Sequence, residues 1–372
     1  MTDDLEIGGF AAPGFEGVID AFAGNFDMGD ELGARFSAFQ AGVMVVDLWA
    51  GFADREKSTP WSEGTLAGIF SSGKAAMATL VAEAVSADKL DYGETIASVW
   101  PEFAAHGKDR ITLAMVLSHQ AGLCGFPEEM PPEDWIRHEK IAARLAAMAP
   151  LWPPGEAFGY HPQTGGFIIN EVYRRATGET IGAALRRKGL DIHCGLAADD
   201  VRRIAFMPKP PSAPVHRKDS KFTEIAFLKP WSAAGRVARE DWLAAEIPSS
   251  NMHATAKALA EIVHPLSNGG IGTHGVRVIK PAVVDEALER RIDGQDLVLP
   301  FDLAWSAGLM LNTNGHFGPS PSALGHAGFG GSAVMIDPAK KISAAYVMNK
   351  MSPSLAGDPR AVALFAALDE SL

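Results

Sequence analysis

Segments typical of β-strands lie near the two ends of this chain, and segments with helical periodicity lie between them. The stretch 36–49 is rich in β-favouring residues and is followed by Gly51, a pattern typical of one or two strands. Near the other end, the alternating segments 332–337 and 342–348 predict an antiparallel hairpin. Because strands and helices are segregated instead of alternating, the sequence favours an α+β fold over a parallel sheet.

Helical periodicity begins at Ser71, where apolar residues recur at spacings of three and four, and it continues with interruptions to about residue 190. A Pro-rich connector at 208–214 then marks a boundary. The pattern predicts one further helix at 253–263 and a short helix at 359–368.

These patterns predict two domains. A discontinuous α/β domain with an antiparallel sheet comprises residues 1–70 and 210–372, and an all-helical domain is inserted at 71–209. A chain of 372 residues is long enough for both to have an apolar core.

Composition excludes several classes of protein. The 33 basic and 45 acidic side chains give a formal charge of −12, and without a basic cluster this argues against nucleic-acid binding. The two cysteines, Cys124 and Cys194, do not make a disulfide framework. The acidic stretch 1–6 lacks the features of a secretory signal, and no apolar run approaches the roughly 20 residues of a membrane span. We therefore expect a cytoplasmic protein that does not bind membranes.

Several catalytic motifs are absent from the sequence. It contains neither His-Glu-x-x-His nor paired Cys-x-x-Cys, so we expect no metal site. It also lacks Gly-x-Ser-x-Gly, which argues against an α/β-hydrolase nucleophile elbow.

Two motifs overlap in the segment 66–75. Gly68, Gly73 and Lys74 have the spacing of a phosphate-binding P-loop. However, Ala75 follows the lysine where that loop needs a magnesium-binding hydroxyl, and no buried parallel strand is predicted before it. The second motif is Ser-x-x-Lys, formed by Ser71 and Lys74.

A three-residue spacing places Ser71 and Lys74 on one face of a helix, with Ser71 near the positive end of the helix dipole. A lysine activates a serine only if burial or another cation lowers its pKa. The motif alone is weak, since Ser86 and Lys89 form a second copy and Ser71 is equally consistent with a helix N-cap. Similarly, Tyr160 is consistent with a core or turn residue, and Gly328 with a turn.

The order of the surrounding motifs strengthens the Ser-x-x-Lys interpretation. They are Leu-Ser-His119-Gln-Ala-Gly, Trp-Pro-Pro-Gly155, Tyr160-His-Pro162, the segment 245–251, and His326-Ala-Gly328-Phe-Gly-Gly. In this order, residues 35–350 resemble the serine β-lactamase and penicillin-binding-protein superfamily. They most resemble class C β-lactamase-like esterases, the family VIII carboxylesterases. The resemblance implies a β-lactamase-like fold with the active site at the domain interface.

The resemblance also implies roles for individual residues. Ser71 would be the acyl-accepting nucleophile, Lys74 its proton partner, and Tyr160 a general base acidified by Lys74. The backbone N–H groups of Ser71 and Phe329 would form the oxyanion hole. Candidate substrate-binding residues are His326, Ala327, Gly328, Gln120, Phe126 and Pro162.

Three departures from the lactamase motifs indicate the substrate. Pro162 replaces the Asn of Tyr-x-Asn, and His326 and Ala327 replace the Lys and Thr of Lys-Thr-Gly. A permanent cation and two polar side chains for amide or carboxylate recognition are thereby lost. We therefore expect a serine carboxylesterase for small, uncharged, short-chain esters, which needs no cofactor.

Two other functions remain open. A weak β-lactamase, or an amidase or peptidase for D-amino acids, would use the same fold. A catalytically silent homologue would act as a binding module. The sequence makes no prediction of the oligomeric state.

Overall fold

The structure is a computed structural model that describes residues 5–229 and 235–372, so the first four residues of the predicted α/β domain lie outside it. The described strands are β1 Ile7–Ala11, β2 Gly33–Gln40, β3 Val43–Gly51, β4 Ala67–Gly68, β5 Ile192–Cys194, β6 Met252–Ala254, β7 Ile292–Gln295, β8 Asp302–Trp305, β9 Met310–Leu311, β10 Leu324–Ala327, β11 Ala333–Asp337 and β12 Ile342–Met348.

Nine of these strands form one antiparallel sheet in the order β1-β3-β2-β12-β11-β10-β9-β8-β7. Strands from the two chain ends meet where β2 pairs with β12. The segment 36–49, expected to form one or two strands, contributes to two, β2 and β3, and the predicted hairpin of β11 and β12 is confirmed. The α+β prediction is also confirmed, although β1 and β7–β9 were not predicted from the sequence.

Both faces of the central strand β12 are covered. Ala344 and Tyr346 pack into the core formed with the helices of the two chain ends, whereas Ala345 and Val347 face the core of the helical segments. This alternation follows from the period of two along a strand. It explains why the β12 sequence is apolar almost throughout.

The described α-helices are α1 Glu16–Asp27, α2 Gly73–Ser86, α3 Ile96–Val99, α4 Leu113–Leu117, α5 His138–Ala147, α6 Thr164–Thr177, α7 Ile181–Lys188, α8 Lys221–Thr223, α9 Arg239–Ala244, α10 Ala256–Ser267, α11 Pro281–Leu288 and α12 Pro359–Glu370. Within the two described ranges, none of them has the length and apolarity needed to cross a bilayer. The predicted C-terminal helix is confirmed by α12.

Helix α2 lies at the centre of the helical segments, and nearly all of its side chains are buried. It contacts α6, α10 and α11. A helix that is apolar on all sides requires such surroundings. The core therefore determines the position of α2, and with it the position of the Ser-x-x-Lys motif at its start.

The helix predicted at 253–263 begins later than expected. His253 lies in β6, and α10 starts only at Ala256 because Thr255 caps it, its Oγ1 accepting a hydrogen bond from the Ala258 N–H at 3.2 Å. Strand β6 joins β4 and β5 in a three-stranded antiparallel sheet. Because β4 pairs with β6 instead of lying in a parallel sheet, the strand that a P-loop requires is missing.

The sheet of β4, β5 and β6 combines residues from both predicted domains, since β5 lies within 71–209. The division of the chain at residues 70 and 209 stays a prediction.

A buried ion pair joins β2 to β3. Asp47 accepts hydrogen bonds from the Arg35 guanidinium at 2.7 and 2.8 Å and from the Ser37 hydroxyl at 2.7 Å. Replacing Asp47 leaves the guanidinium buried without its partner, so we expect Asp47→Ala to lower the free energy of unfolding by about 3–5 kcal/mol. Chemical denaturation followed by tryptophan fluorescence measures this change.

The matched control is Asp293→Ala, because the Asp293 side chain is 60% exposed and its carboxylate lies 3.9 Å from the Arg290 guanidinium. Its expected effect is within about 0.5 kcal/mol. Equal losses in the two variants would contradict a structural role for the buried pair.

Candidate active site

Ser71 lies in a short 3₁₀-helix, Phe70–Ser72, which leads directly into α2. The turn begins at Phe70, whose φ of +45° is uncommon for a residue with a side chain. Ser71 therefore stands at the N-terminal end of a buried helix, and its own side chain is only half-buried. This position places its hydroxyl near the positive end of the helix dipole while keeping it accessible.

The Lys74 amine is buried and contacts Ser71. Its Nζ lies 3.0 Å from Ser71 Oγ, and it donates to the backbone carbonyls of Pro162 at 3.0 Å and Ser249 at 2.8 Å. Burial lowers the pKa of Lys74 well below its ordinary value. A neutral amine has two N–H donors and one lone pair, so the two carbonyls leave the lone pair for the Ser71 hydroxyl proton.

Tyr160 lies beside this pair, with its ring centroid 5.0 Å from Lys74 Nζ. Its ring stacks on Trp305 at 6.0 Å and meets the His119 ring edge-on at 4.8 Å. Within the described part of the chain, its buried hydroxyl makes no hydrogen bond.

Burial raises the pKa of Tyr160, and the smaller opposing effect of the nearby Ser71 hydroxyl does not reverse this. This direction does not support acidification of the phenol by Lys74, which stays a prediction. Burial disfavours both the ammonium form of Lys74 and the phenolate form of Tyr160. The lowered pKa of Lys74 and the raised pKa of Tyr160 both favour Lys74 over Tyr160 as the proton acceptor.

Asp296 anchors the backbone of Tyr160, a role that sequence analysis missed. Its carboxylate accepts hydrogen bonds from the N–H groups of Tyr160 at 3.1 Å, Val298 at 2.7 Å and Leu299 at 2.8 Å. Burial raises the pKa of Asp296 to about 6, although these hydrogen bonds oppose the rise. The sequence carries no signal of this contact, because 136 residues separate Asp296 from Tyr160.

Three buried histidines surround the site, and burial lowers the pKa of each. The pKa of His161 falls to about 4, that of His326 falls to about 3, and that of His119 falls well below its ordinary value. All three imidazoles are therefore neutral near pH 7. His326 replaces the lysine of the third motif, so this position carries no positive charge.

Hydrogen bonds assign the tautomers of two of these rings. His161 donates from Nδ1 to the Gly159 carbonyl at 2.6 Å, while its Nε2 accepts from the Leu123 N–H at 2.9 Å. His326 donates from Nδ1 to the Ala327 carbonyl at 2.9 Å. Its Nε2 is then an acceptor and is buried without a partner among the described residues.

The two predicted oxyanion donors belong to adjoining segments. No hydrogen bond from the N–H of Ser71 or of Phe329 to the described residues is formed. Ser332 joins the segments, since its carbonyl accepts a hydrogen bond from the Gly328 N–H at 2.7 Å and its Oγ donates to the Ile69 carbonyl at 2.9 Å. A Cβ on Gly328 would lie 2.3 Å from the Ile69 carbonyl oxygen, so only glycine fits here.

Arg360 of α12 supports the loop after Phe329, and sequence analysis missed it as well. Its guanidinium donates to the Gly330 carbonyl at 3.1 Å and is held by Asp358 at 2.9 and 3.0 Å. It also pairs with the buried Glu31 at 3.3 Å, whose pKa burial raises to about 8. The C-terminal helix thus holds one wall of the site.

The remaining predicted residues are not all beside Ser71. Pro162 contributes its carbonyl to Lys74, and Ala327 is a buried residue at the end of β10. The Gln120 amide donates to the Ser118 hydroxyl at 2.7 Å. Phe126 packs against Trp135 in the apolar core, with ring centroids 5.7 Å apart.

Known proteins similar to this chain include β-lactamase-like proteins and esterases. A family model described as Beta-lactamase matches residues 18–367. The chain is 31% identical over 369 residues to "Esterase/beta-lactamase LipL" of Mycobacterium tuberculosis (strain ATCC 25618 / H37Rv), a match that covers 92% of this chain and 83% of that protein.

Two solved structures are similar over almost the entire chain. A novel penicillin-binding protein homolog from Caulobacter crescentus has a TM-score of 0.95 at 44% identity, covering 99% of this chain and 100% of that one. A family VIII carboxylesterase has a TM-score of 0.92 at 37% identity, with the same coverage. These likenesses confirm the predicted β-lactamase-like fold.

From the burial of the Lys74 amine we predict how the reactivity of Ser71 depends on pH. Protonated Lys74 cannot accept the Ser71 proton, so labelling by a serine-directed phosphonate rises with pH as Lys74 loses its proton. Since burial lowers this pKa, the rate reaches its plateau well below pH 10.5, and the neutral histidines add no inflection near pH 6.5. The labelling rate is measured from about pH 4 to about pH 10, which covers roughly the range in which these groups titrate.

Two variants test the assignment. Tyr160→Phe retains the pH profile, whereas Lys74→Met abolishes labelling. Lys280→Met is the matched control, because the Lys280 side chain is 51% exposed and pairs with Asp88. A profile that shifts in Tyr160→Phe but survives in Lys74→Met would reverse the roles of the two groups.

Proposed function

This chain belongs to the beta-lactamase family, and on that premise we propose that it is a serine carboxylesterase that hydrolyses small uncharged esters through an acyl-enzyme on Ser71. The observation that carries the proposal is the buried amine of Lys74, 3.0 Å from Ser71 Oγ and held by two backbone carbonyls. Such an amine provides the base that a serine hydroxyl needs.

In the first step, Ser71 Oγ attacks the ester carbonyl carbon while its proton moves to Lys74 Nζ. The carbonyl oxygen becomes an oxyanion, which the N–H groups of Ser71 and Phe329 stabilise. When the tetrahedral intermediate collapses, the bond to the alcohol oxygen breaks and that oxygen takes up the proton. Protonated Tyr160 donates to the departing oxygen and is reprotonated from Lys74.

In the second step, water attacks the acyl carbon and gives a proton to Lys74. Collapse of the second intermediate breaks the bond to Ser71 Oγ, which recovers its proton from the Lys74 ammonium. The acid is released, and Ser71 and Lys74 return to their starting states. No metal or organic cofactor takes part in either step.

Neutrality of the site supports uncharged esters as substrates. His326 is uncharged near pH 7, and Ala327 and Pro162 have no side-chain hydrogen-bond donors. A carboxylate-bearing substrate would leave its charge without a partner at these positions, which costs binding energy. Short acyl chains are part of the proposal because of the likeness to family VIII carboxylesterases.

Two alternatives have some support. The relative LipL is described as an esterase/beta-lactamase, so β-lactam hydrolysis on the same site is the second candidate. An amidase or peptidase for D-amino acids would use the same chemistry. A binding module without catalysis is disfavoured by the contact between Ser71 and Lys74.

A substrate panel tests the proposal. We expect p-nitrophenyl acetate and butyrate to be hydrolysed with a higher kcat/KM than nitrocefin, because the site has no cation for the β-lactam carboxylate. Ser71→Ala lowers ester hydrolysis by about a thousand-fold or more. Tyr160→Phe lowers it by about a hundred-fold, since it removes the proton donor to the leaving oxygen.

Ser86→Ala is the matched control, because Ser86 belongs to the second Ser-x-x-Lys sequence and accepts a hydrogen bond from the Lys280 N–H at 2.8 Å. It retains wild-type activity. Faster turnover of nitrocefin would favour the β-lactamase alternative. If folded protein neither hydrolysed any ester nor reacted with a serine-directed phosphonate, a binding module would be favoured.

A further inference from the structure

A cavity of about 650 Å³ lies beside the candidate active site, and two aromatic side chains next to that site are among its walls. Its walls include Phe70, which precedes Ser71, and Phe329, whose N–H is the second proposed oxyanion donor. The two rings meet edge-on with their centroids 5.9 Å apart, and both side chains are half-buried. The cavity therefore adjoins the position of the reacting carbonyl group.

Segments from three parts of the chain enclose this cavity. They are the small sheet of β4 and β6, the connector that follows Ile204, and helix α9 with Trp242 and Leu243. Met207 and Met351 complete an apolar lining. Its charged side chains, Lys209 and Arg239, are exposed to solvent.

His253 is the polar side chain buried in the wall, and it is only 3% exposed. Its Nδ1 donates to the Asn251 carbonyl at 2.9 Å, which makes Nε2 a hydrogen-bond acceptor. Burial lowers the pKa of His253 to about 4, so the ring is neutral. Nε2 lies 3.8 Å from the position of a Cβ built on Gly68, which also lines the cavity.

An apolar cavity of this size is within the range of small-molecule sites, and it exceeds what an acetyl or methyl group fills. Among the described residues of the lining, the two charged side chains, Lys209 and Arg239, lie at its solvent-exposed edge. Burial of hydrocarbon there is favourable by roughly 25 cal/mol per Å².

We propose that this cavity holds a bulky apolar group of the substrate, an alkyl chain or aryl ring attached to the ester carbonyl or to its alcohol oxygen. This inference rests on the proposed esterase function, because it places the ester linkage at Ser71. The Phe70 and Phe329 rings form the wall along which the apolar group passes. The substrate class is thus an uncharged ester with one short and one bulky apolar side.

Two variants change the size of the cavity at residues away from Ser71. Met207→Trp fills part of it and Trp242→Ala enlarges it. Hydrolysis is measured on two series: p-nitrophenyl esters of acids from acetate to octanoate, and acetates of alcohols from methanol to octanol. The first series varies the acyl side and the second varies the alcohol side.

In Met207→Trp, we expect kcat/KM for the longest member of one series to fall by about ten-fold, with the shortest member of that series changed less than about two-fold. Trp242→Ala shifts the optimum of that series to longer chains. The series that responds identifies the side of the ester that enters the cavity. Met28→Trp makes the same substitution at a methionine that is 67% exposed and outside the cavity, and its size profile equals that of the wild type.

Unchanged size profiles of both variants in both series would overturn the proposal. A binding measurement separates this result from failure of the esterase function. Octyl acetate and p-nitrophenyl octanoate are titrated calorimetrically into Ser71→Ala and into Ser71→Ala combined with Met207→Trp. Weaker binding of either ester by the double variant supports the cavity assignment even if the wild type hydrolyses no ester, and equal binding contradicts it.

Discussion

The site depends on the burial of one amine, that of Lys74. Removing an ammonium group from water is costly unless it is paired, whereas a neutral amine is buried at much lower cost when its N–H groups are bonded. The carbonyls of Pro162 and Ser249 meet this requirement, and they come from segments 88 and 175 residues away from Lys74. The segments that follow Tyr160 and precede β6 must therefore converge on the start of α2.

Charged groups outside the site hold its two walls in position. Asp296 binds the backbone beneath Tyr160, and Arg360 binds the loop that follows Phe329. Each is buried, and each acts on backbone atoms, so the side chains that face the substrate remain free to contact it. Hydrogen bonds of this kind, in which one partner is charged, are stronger than those between neutral groups.

The sequence predicted the features that depend on local spacing. Ser71 and Lys74 are three residues apart on one helix, and the hairpin of β11 and β12 has a short connection, so both follow from local rules. The start of α10 was misplaced because the apolar residues of β6 and the helix are continuous in sequence, and only the Thr255 cap separates them.

The features that were missed are those that depend on long-range packing. Asp296 and Arg360 act on backbone groups 136 and 30 residues away, and nothing in their immediate sequence marks them. The sequence could not indicate the raised pKa of Tyr160, because a motif identifies neighbours but not solvent exposure. The shift depends on complete burial among Trp305, His119 and the covering segments.

His326 connects the chemistry of the site to its specificity. A lysine at this position would add a second positive charge near Lys74, and repulsion between the two would help to keep Lys74 neutral. Because His326 is neutral, it does not repel a proton on Lys74 in this way, and desolvation lowers the pKa of Lys74 instead. Water must therefore be excluded from around this amine by packing. The enclosure by Tyr160, Trp305 and His119 meets that condition, and it also makes the site apolar. The proposed preference for uncharged substrates and the proposed activation of Ser71 thus rest on the same burial.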